Sequence, residues 1–169
     1  MNKTNPEGRT TMTIRLSNDP PDERLSYELY AAARASEMEA WGWPDETRQS
    51  FLAMQFRLQQ QGYASRFPTG TVRTIEYAGE PAGKLHSAAE GDSLVLIDIS
   101  LLPKYRNRGI GTEAIRLLQR EAAERSFRKV LLTVRADNPA FRLYGKLGFV
   151  PVGQAPLDIR MEWVVPFQI

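Results

Sequence analysis

Leu94 to Leu102 reads L-V-L-I-D-I-S-L-L and is the most apolar stretch of the chain. It has the length of a strand and no 3.6-residue spacing, so it is expected as a fully buried central strand covered on both faces. A helix from about Gly109 to Arg125 follows, with Ala114, Ile115, Leu118 and Ala122 on one face. Between them lies a glycine- and arginine-rich connection, Lys104-Tyr105-Arg106-Asn107-Arg108-Gly109-Ile110-Gly111. Asp98 interrupts the apolar run, and an unpaired carboxylate there would be costly to bury.

The remaining elements arrange themselves around that strand. Thr11–Ser17 alternates and ends at Asn18-Asp19-Pro20-Pro21, a first strand and turn. Asp22–Glu39 reads as a helix with Leu25, Leu29, Ala32 and Ala33 on one face. Trp41-Gly42-Trp43-Pro44 breaks it. Asp45 or Thr47 is expected to cap a second helix carrying Phe51, Leu52, Gln55, Phe56 and Leu58 and ending before Gly62. Thr71–Tyr77 and Ala82–Glu90 flank Ala78-Gly79-Glu80-Pro81 as a hairpin. Lys129–Val134 is a second buried strand. Asn138 as N-cap with Pro139 at the first helical position opens a helix that Gly148 ends, and Phe149–Val152 and Ile159–Val165 close the chain as strands. The order β-α-α-β-β-β-α-β-α-β-β gives an α/β (α+β) chain, a mixed sheet with helices on its faces. Residues 1–11 are polar and expected to be a flexible segment, and 12–169 a single domain.

Composition removes several chemistries. The chain has 169 residues, no cysteine and one histidine, His86, which excludes disulfides, a thiol nucleophile, cysteine zinc sites and histidine clusters; no metal is expected. No apolar run approaches membrane-spanning length and the N-terminus lacks a secretory apolar core, so a cytoplasmic protein without membrane partners is expected. The formal net charge is +2. It is unevenly spread: Lys104–Lys146 holds eleven Lys or Arg against four acids, a local +7, and the rest carries −5. That segment is either a solvated helix face or a site for a polyanion.

The two glycines bear on this choice. At a helix start they let the backbone approach a ligand closely and leave N–H groups free for an anion, with the helix dipole adding to the attraction. Arg106 and Arg108 add charge, which makes a cradle for a pyrophosphate. Gly109-Ile110-Gly111-Thr112-Glu113-Ala114 also matches the dinucleotide fingerprint G-x-G-x-x-A, but six residues separate it from its strand and only one strand–helix pair follows. A Walker loop is excluded, since no Gly-Lys-Ser/Thr follows. A tight turn with surface arginines is the third reading.

Arg106-Asn107-Arg108-Gly109-Ile110-Gly111 resembles the R/Q-x-x-G-x-G/A acetyl-CoA loop of the GCN5-related N-acetyltransferases (GNAT superfamily), in the same strand–loop–helix context. A second block, Asp137-Asn138-Pro139 through Tyr144 to Gly148-Phe149, resembles the family's D/N-N-x-x-x-x-x-Y-x-x-x-G-F element. The resemblance is strong over about Leu94–Val152. It implies a mixed, mostly antiparallel sheet of six to seven strands, flanked by about four helices, with splayed central strands. It also implies acetyl-CoA as co-substrate, its pantetheine along Ile99–Leu102, with Leu101 N–H toward the thioester carbonyl. Arg106, Asn107, Arg108, Gly109, Ile110, Gly111 and Thr112 would hold the pyrophosphate, and Asn138 is read both as helix cap and as a contact to the co-substrate.

The implied reaction moves an acetyl group to a primary amine by direct attack in a ternary complex, since a cysteinyl intermediate is impossible here. Tyr144 occupies the position of the family's proton donor to the departing thiolate; packing beside Phe141 and Leu147 is its other reading. Asp98 is the expected base, with Glu37, Glu39, His86 or solvent in reserve. The acceptor, a small-molecule or peptide amine, is expected between the first two helices. Trp43, Glu37 and Gln55 are the expected contacts, and Trp41, Arg34, Asp45 and Tyr63 lie nearby. The tryptophans are equally read as a cap on the core. A non-catalytic acyl-CoA-binding or sensing module is the alternative; a nucleic-acid binder fits less well because the basic residues are not interleaved with aromatics. The chain is expected as monomer or homodimer.

Overall fold

The computed structural model describes residues 13–167. Strand β1 (Ile14–Leu16), helices α1 (Glu23–Ala40) and α2 (Asp45–Arg66), strands β2 (Thr71–Tyr77), β3 (Glu80–Glu90) and β4 (Ser93–Leu101), helix α3 (Ile110–Glu124), strand β5 (Lys129–Arg135), helix α4 (Ala140–Lys146) and strands β6 (Val150–Gln154) and β7 (Asp158–Val164) follow in that order. Seven strands make one sheet in the order β1-β2-β3-β4-β5-β7-β6, antiparallel except where β4 runs parallel to β5. Part of the expected first strand, Thr11 and Met12, and the expected flexible segment 1–11 lie outside the described residues.

The sheet alternation divides the helices. Leu85 is fully buried and the Arg73 guanidinium reaches Glu121 of α3 at 2.7 Å, so their face looks toward α3. Lys84 and His86, one residue out of phase, point to the opposite face, where Tyr63 of α2 packs edge-on against His86. Helix α3 buries Ala114, Ile115, Leu118 and Ala122, each at 1% exposure or less, together with Ile110. These residues meet Leu94, Leu96, Val130, Leu132 and Phe149 in the main core.

Several expectations about local structure shift. Asp22 does cap α1, its side chain accepting from Leu25 N at 2.7 Å. Neither Asp45 nor Thr47 caps α2: Pro44 stands at the cap position, and Asp45 is the first helical residue, paired with Arg48. Helix α2 runs through Gly62, which costs about 1 kcal/mol but does not stop a helix. It ends at Phe67, before Pro68, where α conformation is sterically disfavoured. Of its residues only Phe56 is buried, while Leu58 is 54% exposed. Helix α4 begins one residue later than expected, yet Asn138 still caps it, its Oδ1 accepting from Ala140 N at 2.9 Å.

The largest difference concerns β4. The strand is buried at Ser93, Leu94 and Leu96 but only half-buried from Ile97 to Leu101. Its parallel pairing with β5 runs from Ser93↔Lys129 to Leu96↔Leu132 and stops. On the other side, β3 pairs with β4 along its whole length, with a register shift that leaves Ile97 as an extra residue between Asp98 and Leu96. Such a bulge bends its strand and increases its twist. The bulge follows directly on the last β4–β5 pair, and beyond it the two strands diverge. The expectation of full burial therefore fails in the second half of the strand, which forms the wall of a cleft.

No helix among the described residues is long and apolar enough to cross a membrane. Two glycines separate sheet packing from helix propensity. A Cβ at Gly83 would sit 2.1 Å from Ser100 O and 3.0 Å from Leu101 Cα, whereas one at Gly62 would meet nothing within 4 Å. Gly83→Ala is expected to destabilise the fold by about 3 kcal/mol or more, because backbone must move. Gly62→Ala should stabilise it by about 1 kcal/mol. Urea unfolding of both variants checks the contrast.

Candidate active site

The cleft between the diverging strands has an edge of free backbone groups. Leu102 N donates to Ala82 O at 2.9 Å, on the β3 side, and Leu101 O accepts from Arg106 Nε at 3.2 Å, on the open side. Alternation along the strand then points the N–H and C=O of Leu101, and of Ile99 two residues earlier, into the cleft. Ser100 faces α1 and α2, and its Oγ is buried without a hydrogen-bond partner.

At the C-terminal end of β4 the chain makes a short turn, Pro103–Tyr105, and then the glycine loop. Asn107 (φ 59°) and Gly109 (φ 78°) both take left-handed conformations. This reverses the chain so that α3 starts at Ile110 with its N-terminus beside the end of β4. None of the amides from Asn107 to Thr112 donates to a backbone carbonyl among the described residues; the first helical bond is Glu113 N to Gly109 O, 3.1 Å. These free donors at a helix start are what an anion requires. A Cβ at Gly111 would find nothing nearer than Leu101 Cδ1 at 3.8 Å. The fold thus leaves space there that it does not itself fill. Glu113, the acid of the first turn, is held by Arg116 at 2.6 Å. Arg108 lies over the Tyr77 ring, 5.0 Å from its centroid, and Lys104 over Tyr105. Arg106, Asn107, Arg108, Gly109, Ile110, Gly111 and Thr112 form the loop and first turn at the end of β4, and Ile99 and Leu101 lie on its open edge. Asn138 uses its side-chain oxygen on its own helix.

Tyr144 lies within electrostatic reach of Asp98. Tyr144 is buried against Phe149, and burial, with the negative charge of Asp98 adding to it, pushes its hydroxyl up to about 12. Asp98 pairs with Lys84 Nζ at 3.4 Å and stands opposite His86 in the β3–β4 register. Burial lowers the His86 pKa, Lys84 lowers it further, and Asp98 opposes both, so the ring is neutral at pH 7. Tyr63 is raised by burial and then by Asp98 and Tyr30. The Tyr30 hydroxyl is also buried without a partner. Sequence reading missed Tyr30 and Lys84 as members of this cluster. A lysine in Ala82–Ala89, a run with no other Lys, Arg, Asp or Glu, was the available signal.

The expected acceptor contacts are dispersed. Trp43 stacks with Trp41 (5.0 Å between centroids) and Phe51 (5.2 Å), and Trp41 with Phe51 (5.7 Å), an aromatic knot at the α1–α2 connection. Glu37 is exposed, 4.0 Å from Arg34; Glu39 is exposed too. A cavity of about 310 Å³ opens instead beside Lys84, lined in part by Ser26, Tyr63, Gly70 and His86, and Trp43, Glu37 and Gln55 do not line it.

The family model described as "Acetyltransferase (GNAT) family" matches residues 27–149. The chain belongs to the acetyltransferase (GNAT) family. Solved members of the same fold superpose over most of its length. The PaiA N-acetyltransferase of Thermoplasma acidophilum, in complex with coenzyme A, is 16% identical, with 89% of this chain and 98% of that one covered at a TM-score of 0.64. An acetyltransferase from Thermus thermophilus is 21% identical (90% and 97% covered, TM-score 0.63). The ribosomal-protein-S18-alanine N-acetyltransferase of Escherichia coli is 18% identical (94% and 96%, TM-score 0.58). At these identities the likeness concerns the fold. A search of curated proteins finds no match to the chain.

The raised Tyr144 hydroxyl carries a stability consequence. Its folded pKa lies above the ordinary value of 10, so the neutral phenol favours the fold below pH 10, and that contribution is lost as pH rises through 12. Urea unfolding should show wild type losing about 2 kcal/mol more between pH 10 and 12 than Tyr144→Phe does.

Proposed function

We propose that this GNAT chain transfers an acetyl group from acetyl-CoA to a primary amine, by direct attack of the amine within a ternary complex. The observation that carries the reading is the run of free backbone donors from Asn107 to Thr112 at the start of α3, continuous with the open edge of β4. The residues present fit an acyl-CoA: a diphosphate would accept from those amides, and the pantetheine would extend along Ile99–Leu101 as an added strand. Leu101 N–H is the donor available to a thioester carbonyl, where the reaction places negative charge. The local +7 of Lys104–Lys146 supports a polyanionic co-substrate.

The remaining groups supply proton handling. Asp98, paired with Lys84 and within electrostatic reach of Tyr144, takes the proton of the incoming ammonium directly or through one water. Nitrogen then attacks the thioester carbon, the carbon–sulfur bond breaks, and the proton given up by nitrogen ends on sulfur. Tyr144 donates a hydrogen bond to the departing sulfur. Full transfer from a hydroxyl at about 12 to a thiolate whose thiol titrates near ~8.5 is uphill by about 5 kcal/mol. Tyr144 therefore serves best as a hydrogen-bond donor that keeps its proton, while the proton Asp98 collects from the ammonium passes to solvent. His86, neutral and turned toward α2, and Glu37 and Glu39, exposed on α1, are less well placed than Asp98 for this work. Asn138 acts through its cap on α4 and so helps hold Tyr144 in position.

Gly111→Glu tests the anion site, because its Cβ has room against the protein and the fold should persist. Coenzyme A affinity by calorimetry should fall at least 100-fold with the melting temperature within a few degrees; unchanged affinity overturns the reading. With any amine that releases free thiol from acetyl-CoA, Tyr144→Phe should lower kcat about 100-fold while coenzyme A affinity stays within about twofold. Tight coenzyme A binding with no thiol release across an amine panel would favour an acyl-CoA sensor instead.

A further inference from the structure

The cavity beside Asp98 is built around a buried cation. Lys84 is 7% exposed, and His86 and Ser26, on its walls, are 6% and 8% exposed. The Lys84 ammonium has three N–H donors and a single charged neighbour, Asp98 Oδ2 at 3.4 Å. Among the described residues, none of Ser26, Lys84 and His86 makes a side-chain hydrogen bond. A buried ammonium with unfilled donors carries a desolvation cost that an anion entering the cavity would offset. The other polar walls, Ser26, Tyr63 and His86, are uncharged at neutral pH, so Lys84 is the feature that sets the sign of the ligand.

Size and position narrow the choice further. A volume of about 310 Å³ stands at the small end of the range for ligand pockets, roughly 300–1,000 Å³, and suits a small molecule better than a polypeptide. Lys84 and Asp98 lie side by side, the lysine on the cavity wall and the aspartate, about a third exposed, on the half of β4 that has left β5, with its charge felt at the Tyr144 hydroxyl. A molecule whose own amine and acid groups are a few bonds apart can exchange the Lys84–Asp98 contact for two contacts of its own. Its acid group would meet Lys84 and its ammonium Asp98, which places nitrogen at the side of the cleft where the base and Tyr144 stand.

We infer that the acetyl acceptor is a small amino carboxylate, with Lys84 as the residue that binds its carboxylate and the Ser26–Tyr63–His86 cavity as the pocket for the rest of it. This assignment rests on the acetyl-transfer reading and deepens it. Lys84 thereby becomes a specificity residue, selecting acids over amides and simple amines.

The test is a panel of L-α-amino acids and β-alanine, each beside its carboxamide and its decarboxylated amine, assayed for thiol release from acetyl-CoA. At least one acid should exceed its two neutral partners tenfold or more in kcat/KM. In Lys84→Met that ratio should collapse toward one. Because Lys84→Met strands Asp98 and could unfold the protein, Ala64→Phe provides a second arm: Ala64 lies on the cavity wall at the exposed surface of α2. The added ring should raise the acid's KM at least tenfold and leave coenzyme A affinity within twofold. Amides or plain amines used as well as acids, no amino carboxylate used at all, or an acid preference that survives Lys84→Met would each overturn the inference. Coenzyme A titration of the same wild-type preparation separates the two levels. Retained binding confines such a failure to Lys84 and its cavity, and absent binding brings down the acetyl-transfer reading itself.

Discussion

The structure turns on the point where β4 and β5 stop pairing. Parallel strands in a sheet normally satisfy each other's backbone groups along their shared length, and an unpaired internal edge is costly unless water or a ligand reaches it. Here the ladder ends at Leu96↔Leu132, and the extra residue Ile97 turns β4 away while β3 keeps hold of its other side. An inner strand thereby acquires an open edge without the sheet coming apart. The glycine loop begins where that edge ends, so one distortion sets both the groove and the anion site at its end.

The charges follow the same geometry. The acid nearest the free amides, Glu113, is neutralised by Arg116, which leaves the positive end of α3 unopposed. On the other face of the sheet, under α1 and α2, a buried Lys84 is held against a half-buried Asp98. A buried pair of this sort is weak evidence for stability, because desolvation offsets much of the attraction. The pair does set a lysine on the cavity wall beside an aspartate whose charge reaches the Tyr144 hydroxyl, which burial keeps protonated. The face that receives α3 thus bears the cleft's anion site, and the face that receives α1 and α2 bears its titratable groups.

Much of this was legible from local pattern. The apolar face of α3 at Ala114, Ile115, Leu118 and Ala122 is buried as its spacing requires, and the Asp22 and Asn138 caps form where their chemistry and position suggest. Element order was readable because every transition except α3–β5, which runs through Arg125-Ser126-Phe127-Arg128, has its own punctuation in Gly, Pro or Asn. What failed was judgment of depth. Leu94–Leu102 looked uniformly buried because hydrophobicity records a tendency to leave water, not whether a neighbouring strand is present. Trp43 could be read equally as a ligand wall or as a cap on the core, and its ring packs on Trp41 and Phe51, which lie near it in the chain. Apolar and aromatic side chains are satisfied by any apolar partner, so their destination depends on what the fold brings near.

The sequence by itself determined the elements, their order and the glycine loop, since these rest on dihedral preferences, capping and periodicity acting within a few residues. It also excluded thiol chemistry outright. Only the tertiary structure decided where β4 leaves β5, that Lys84 and Asp98 adjoin, and that a cavity rather than the tryptophan pair lies beside them. Those outcomes depend on register and on packing between segments far apart in the chain, and pairing across a sheet leaves no periodic mark in either strand alone.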